Sequence, residues 1–275
     1  TPLYSSAASD VYKRQALEND RCTMGENVFK FEEEFARYIG TRFAVSTNSG
    51  TAALHIALIA LGLSPKDEVL TTPFSFIATA NSVMYVGGIP RFVDIRREDY
   101  NIDPVLTRSS VSEKTKALLP VHLFGHPADL DCLKEICDSR DIPLIEDACQ
   151  AHGAVYHGRK VGGIGTVGCF SFYPSKNLSV LGDGGVATTN DDHVAEVMAK
   201  LRDCGRISHY EHDAIGYSYR LNSVSAAIGR VQLRRVDEWN NRRRDIAATR
   251  GGGLRDISRI SLPPKGSSEI QPVYH

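Results

Sequence analysis

Apolar positions along the chain recur with two different spacings. In ENVFKFEEEFARYIG, Val28, Phe31, Phe35, Tyr38 and Ile39 fall on one helical stripe. RFAVSTNSG reads as a short strand running into a turn, and GTAALHIALIALG as a helix closed by Gly62 and followed by Pro65. DEVLTTP predicts a strand, FIATANSVMYVG a helix and PRFVDI a strand. KALLPVHLFG predicts a strand and loop, DLDCLKEICDSR a helix and IPLIEDAC a strand. VGCFSFYPSKN is a strand that exits into a loop carrying a lysine, and HVAEVMAKLRDCG is a helix. SVSAAIGRVQLRRVDEWNNRRRDIAATR predicts one long amphipathic helix, with Ala226, Ile228, Val231, Leu233, Val236 and Trp239 set among arginines. The tail GGGLRDISRISLPPKGSSEIQPVYH has linker composition and ends on what reads as the start of a strand. TPLYSSAASDVYKRQ has no sustained apolar period and no apolar signal-peptide segment.

Alternating strands and helices predict an α/β fold with a mostly parallel sheet covered on both faces. Ligands of such sheets sit at the carboxyl ends of strands. Ser49-Gly50-Thr51, Thr72-Pro73, His122 and Glu146-Asp147 all follow apolar strand runs and fall at that edge.

Composition changes this picture little. With 275 residues, 42% hydrophobic, 24% charged and a formal net charge of -1, nothing points to a nucleic-acid surface. No apolar run reaches the roughly 18 residues of a membrane span. Cysteines at 22, 132, 137, 149, 169 and 204 form no CxxC pair, which fits reduced cytosolic thiols better than a disulfide framework. Asn177-Leu178-Ser179 fits a glycosylation sequon that nothing else in the sequence supports.

Three features carry candidate chemistry. Lys176 sits in SFYPSKNLSVLGDGG. Such a lysine is ordinarily a surface residue, but a Schiff-base lysine needs a loop that brings its amine into a partly desolvated pocket. Phe170, Phe172 and Tyr173 just upstream offer one. Asp147 ends an apolar strand; it reads either as a structural carboxylate or as the acid that keeps a pyridine cofactor protonated. Ser49, Gly50, Thr51 and Ala52 open a helix, and read either as an ordinary cap or as an anion site for a phosphate. Gly163-Ile164-Gly165-Thr166-Val167-Gly168 fits GxGxxG but precedes a strand and opens no helix, which argues against dinucleotide binding. His122 and His126 are interrupted by Gly125 and followed by Pro127, so a helical metal pair is not expected and His122 is placed on a loop near the cofactor. Arg242 to Arg244 read as a solvated helix face, with a role near substrate phosphates as the alternative.

NSGTAALHIAL, TTPFSFIATANSV, PVHLFGHPADLD, IEDACQAHGA, GCFSFYPSKNLSVLGDGG and GYSYRLNSVSAAIGRVQL together resemble, in the same order, the DegT/DnrJ/EryC1/StrS aminotransferases over about residues 20 to 275. The resemblance implies the fold-type I large domain of enzymes dependent on pyridoxal 5'-phosphate. Lys176 would then hold the cofactor covalently and shuttle the proton, and Asp147 would pair with the ring nitrogen. Gln150 would donate to the ring oxygen, Phe76 would stack on the ring, and Gly50, Thr51, Ala52 and Ser171 would surround the phosphate. A segment of a neighbouring subunit also reaches the phosphate in this family; here it reads GYSYR, with Ser218 in place of the usual asparagine and Arg220 as the remaining candidate.

From their small, polar, aperiodic composition, residues 1–15 are expected to be a non-native or disordered leader; the resemblance implies that 16–250 form the cofactor-binding large domain and 251–275 a linker and the start of a C-terminal small domain that is mostly missing. The implied activity is transfer of an amino group from glutamate, leaving 2-oxoglutarate, to a nucleotide-linked keto sugar, by a cytoplasmic homodimer with shared active sites and no metal. The alternatives are a catalytically silent or regulatory homologue, a fold-type I enzyme acting on small amino acids, or a sugar dehydratase. The last branch carries histidine where this chain has Lys176.

Overall fold

The computed structural model describes residues 7–275. In chain order the elements are α1 (Ala7–Asn19), α2 (Glu26–Ile39), β1 (Phe43–Thr47), α3 (Gly50–Ala60), β2 (Glu68–Thr71), α4 (Ala78–Tyr85) and β3 (Ile89–Phe92). There follow α5 (Pro104–Ser110), β4 (Thr115–Leu118), α6 (Leu130–Arg140), β5 (Ile145–Asp147), and the short hairpin β6 (Val155–Tyr156) and β7 (Arg159–Lys160). The rest are β8 (Val167–Ser171), β9 (Gly185–Thr189), α7 (Asp192–Arg202), α8 (Ser223–Leu233), α9 (Val236–Leu254) and β10 (Ile270–Gln271).

Strands β3, β2 and β4 form one parallel set, and β5, β8, β9 and β1 a mixed one. Parallel bridges Leu118↔Leu144 and Val121↔Asp147 join them, giving the order β3-β2-β4-β5-β8-β9-β1. The mostly parallel sheet expected from the alternation is present, with β9 as its antiparallel member, paired on both sides. Period-2 alternation divides the side chains between two layers. Phe170 and Phe172 pack under α2 with Phe31 and Phe35, whereas Cys169 and Ala187 face Leu54, Ile56 and Leu58 of α3 and Met198 of α7. Edge-to-face aromatic pairs such as Phe35–Phe170, with centroids 5.1 Å apart, tie the first layer to the strand that leads into the lysine loop.

Two expectations change. Residues 7–15, expected in the leader, lie in α1, which packs on α8; residues 1–6 of that leader fall outside the described residues. The single long helix expected from Ser223 onward is two helices that meet at Arg234-Arg235. Buried residues run along almost all of α8, but α9 buries only Val236 and Asn240, so no continuous apolar stripe holds both on one axis.

Candidate active site

Helix α3 begins where β1 leaves the sheet. Ser49, in extended conformation, caps it by accepting the Ala52 N–H on Oγ at 3.1 Å. The N–H groups of Gly50 and Thr51 have no acceptor among the described residues, so this end of the helix offers two unpaired donors and the positive end of its dipole. Ala52, expected beside them as a phosphate contact, spends its N–H on the cap. Gly50 is in close contact with the exits of two neighbouring strands. A Cβ there would lie 2.7 Å from Ser171 Cβ and 2.9 Å from Cys149 Sγ. The expected Ser171 thus comes to the helix start, with its Oγ accepting the Tyr173 N–H at 3.3 Å and its own hydrogen left to donate.

Asp147 closes β5 and is buried. Its Oδ2 accepts from Thr79 Oγ1 at 2.8 Å and its Oδ1 from the Cys149 N–H at 3.2 Å, which fixes the carboxylate and leaves lone pairs for one more donor. Burial and the Asp147 charge push the Cys149 thiol well up, so it stays protonated.

The adjacent Glu146 points to the opposite side of the strand and is fully buried. It accepts the N–H groups of Gly162 (2.7 Å), Ile164 (2.8 Å) and Gly165 (2.6 Å), and His122 Nε2 lies 3.0 Å away. His122 Nδ1 accepts the Ala128 N–H at 3.0 Å, which places the ring hydrogen on Nε2, donating to Glu146. Those donors outweigh the desolvation that opposes ionisation and hold the carboxyl below the ordinary range. This explains the glycine-rich run that mimics a dinucleotide motif: it is an anion nest for an internal carboxylate. Gly162 has φ +81 and lies under the Phe170 ring where a Cβ would collide; a Cβ on Gly165 would lie 2.5 Å from the Leu144 carbonyl. His122 is therefore a buried structural partner, and its N–H also donates to the Asp147 carbonyl at 3.0 Å. No group of three metal-ligating side chains occurs among the described residues.

Lys176 follows β8 on a turn closed by its own N–H donating to the Tyr173 carbonyl at 2.8 Å. Its amine is half-buried and lies 3.5 Å from His275 Nε2. β8 pairs with β5 in parallel, with Cys169 opposite Asp147, so the loop that carries Lys176 leaves the sheet beside the end of β5. His152 packs against Phe170 and Phe172, and burial, reinforced by Lys176, takes it to about 3, so it is neutral. Gln150 Oε1 accepts the Phe124 N–H at 2.7 Å; this orients the side-chain amide nitrogen away, and it has no acceptor among the described residues. Phe76 is 70% exposed, with its ring face open.

Arg220, expected to reach the phosphate of a neighbouring subunit, is anchored within its own chain. Its guanidinium is tied to Asp203 and to Ser218 Oγ, although the segment itself borders the start of α3 through the Asn48 N–H to the Tyr219 carbonyl at 2.7 Å. Arg243 and Arg244, expected on a solvated face, hold the carbonyls of Tyr274 and Pro272 at 3.3 and 3.0 Å. Thr79, His152 and His275 also line this region, and no spacing signalled them; Thr79 stands within a motif but looks like any buried helix residue.

The unpaired helix-start donors, the fixed carboxylate with spare lone pairs, the outward Gln150 amide, the open Phe76 face and the nearby lysine fit pyridoxal 5'-phosphate group by group. Fold and site together define a fold-type I enzyme that depends on this cofactor. Residues 6–274 match the DegT/DnrJ/EryC1/StrS aminotransferase family, and the chain belongs to it. The dTDP-3-amino-3,4,6-trideoxy-alpha-D-glucose transaminase of Streptomyces venezuelae is 40% identical over 269 residues, covering 98% of this chain and 71% of that protein. The crystal structure of DesV from S. venezuelae in complex with a ketimine intermediate superposes with a TM-score of 0.95 at 41% identity, over 98% of this chain and 72% of that one. A pleiotropic regulatory protein of Geobacillus stearothermophilus is 40% identical, over 95% of this chain and 70% of its own length. The chain is a pyridoxal-phosphate-dependent aminotransferase.

Proposed function

We propose that this chain transfers an amino group from glutamate to a keto sugar linked to a nucleotide, giving an amino sugar nucleotide and 2-oxoglutarate. The observation that carries this reading is the convergence of Lys176, Asp147 and the start of α3 on the carboxyl edge of one sheet. The sugar-nucleotide acceptor is supported by the name of the S. venezuelae relative.

When bound, pyridoxal phosphate supplies an electron sink for the carbanion formed next to the transferred nitrogen. The chain's own residues do the rest. Gly50 and Thr51 N–H groups and the Ser171 hydroxyl hold the phosphate. Asp147, held by Thr79 and the Cys149 N–H, keeps a proton on the ring nitrogen. Gln150 donates to the ring oxygen, and Phe76 covers the ring and excludes water. Lys176 holds the cofactor covalently. Once the donor's amine has displaced it, the free Nζ would carry the proton from the donor's α-carbon in one half-reaction and, in the other, deliver a proton to the sugar carbon that receives the amine.

The assembly in this reading is a homodimer in the cytoplasm. Ile77, Met84, Tyr85, Ile89 and Phe92 are all exposed on and just before α4 and on the edge strand β3, an apolar face that a second copy would cover beside the site. The six cysteines are free thiols, and no helix among the described residues is long and apolar enough to cross a membrane.

The test is to incubate purified, cofactor-loaded protein with glutamate and a panel of keto sugars carried on dTDP, UDP and GDP, measuring the amine by mass spectrometry and 2-oxoglutarate by a coupled assay. Product with at least one sugar nucleotide is expected. Cofactor binding without transfer to any of them would favour the regulatory alternative.

A further inference from the structure

A relay of side-chain amides fixes how His275 faces Lys176. Asn240, buried on α9, donates from Nδ2 to the His152 carbonyl at 2.7 Å, which leaves its Oδ1 facing Asn177. Asn177 Nδ2 donates to that oxygen at 3.0 Å and to the Val273 carbonyl at 3.1 Å. Two acceptors around one nitrogen settle which end of the Asn177 amide is which, so its Oδ1 faces the imidazole, 3.4 Å from His275 Nδ1. An acceptor at that position puts the ring hydrogen on Nδ1 and leaves the lone pair on Nε2. Nε2 is the atom 3.5 Å from Lys176 Nζ.

The ring is held from its backbone as well. The His275 N–H donates to the Phe124 carbonyl at 2.9 Å, and the Phe124 N–H donates to Gln150 Oε1 at 2.7 Å, so His275 and the cofactor-facing Gln150 share one anchor. Burial, with the Lys176 and Arg243 charges beside it, takes the His275 imidazole down to about 4, and it is neutral in neutral solution. A neutral ring of this basicity does not compete with the lysine for the proton; it accepts a hydrogen bond.

We infer that His275 is a positioning residue for amine transfer: its Nε2 lone pair takes one N–H of the Lys176 amine and so aims the amine's own lone pair at the carbon whose proton it removes. The inference rests on Lys176 being the proton carrier. It adds to that reading a partner for the lysine, which lies 99 positions away in the chain.

His275→Phe fills the same space without an acceptor, and His275→Gln restores one. In the cofactor-loaded enzyme, His275→Phe should lower kcat by at least about tenfold while KM for both substrates stays within about twofold. The isotope effect with α-deuterated glutamate should rise, because proton removal becomes the slow step. His275→Gln should recover kcat to within about threefold of the parent. A second readout needs no turnover: in enzyme whose cofactor is in the amine form, Lys176 is free to react with cyanate, scored by mass spectrometry of its peptide. Loss of an acceptor that favours the ammonium should make His275→Phe react faster than the parent and than His275→Gln. Should His275→Phe fail to bind cofactor, His275→Ala is read by the same measurements. Unchanged isotope effect and unchanged cyanate reactivity would overturn the inference whatever happens to kcat. A parent enzyme that transfers no amine, in contrast, would overturn the functional reading and not this geometry.

Discussion

Replacing Glu146 by glutamine tests the internal carboxylate that braces the cofactor edge. The side chain is fully buried and takes four donors: Gly162 N–H and His122 Nε2–H on Oε2, Ile164 N–H and Gly165 N–H on Oε1. Glutamine keeps one acceptor oxygen, and its NH₂ end must face two N–H groups in the other position. His122 cannot relieve the conflict by changing tautomer, because its Nδ1 already accepts the Ala128 N–H. Two buried donors are stranded, at about 1–3 kcal/mol each, so Glu146→Gln should lose about 2–6 kcal/mol. The pH dependence has a definite sign. Glu146 titrates lower in the folded than in the unfolded chain, so its contribution is complete above the ordinary carboxylate value and fades as pH falls through the folded value. Urea unfolding of parent and variant at neutral and at acid pH, followed by circular dichroism, measures both effects. The gap should be large at neutral pH and shrink in acid. A loss below about 0.5 kcal/mol at neutral pH, or a gap that widens in acid, would refute the role assigned to the nest.

Other outcomes follow from the same geometry. Thr79→Val removes the hydroxyl that holds Asp147 Oδ2 at 2.8 Å; amine transfer should fall about tenfold, from about 1–3 kcal/mol of lost orientation, with less effect on stability because valine refills the volume, as steady-state kinetics and thermal melts will report. If Asp147 partners the ring nitrogen as proposed, Asp147→Asn should cost more than about a hundredfold in kcat, read by the same kinetics. Gly50→Ala places a methyl 2.7 Å from Ser171 Cβ and 2.9 Å from Cys149 Sγ, and should weaken cofactor affinity by about 1–3 kcal/mol, read by absorbance titration with pyridoxal phosphate.

Much of this architecture was legible in the sequence because long, strongly patterned segments decide it. The stripe of α2, the uniformly apolar α3 and the apolar run into Asp147 left little choice of element. What escaped the sequence is decided by long-range partners. Strand β9 begins inside a glycine-rich turn; it becomes a strand because β1 and β8 flank it on both sides. The α8–α9 break reflects where burial stops, which amphipathic periodicity alone does not register. The ion pair of Arg220 with Asp203, 17 positions away, likewise has no signal in the local sequence. Glu146 and Asp147 illustrate the limit best. Two adjacent carboxylates end one strand, and the pleat must send them to opposite sides. Only the Gly162–Gly165 nest on one side and Thr79 on the other distinguish the first, a structural carboxylate, from the second, which in the proposed function faces the cofactor.

The most direct test of the central claim is to load the purified protein with pyridoxal phosphate, reduce it with borohydride, digest it and locate the fixed cofactor by mass spectrometry. The account predicts the adduct on the peptide carrying Lys176, and its loss in Lys176→Ala. An adduct on another lysine, or a Lys176 peptide that stays unmodified in cofactor-loaded protein, would contradict it.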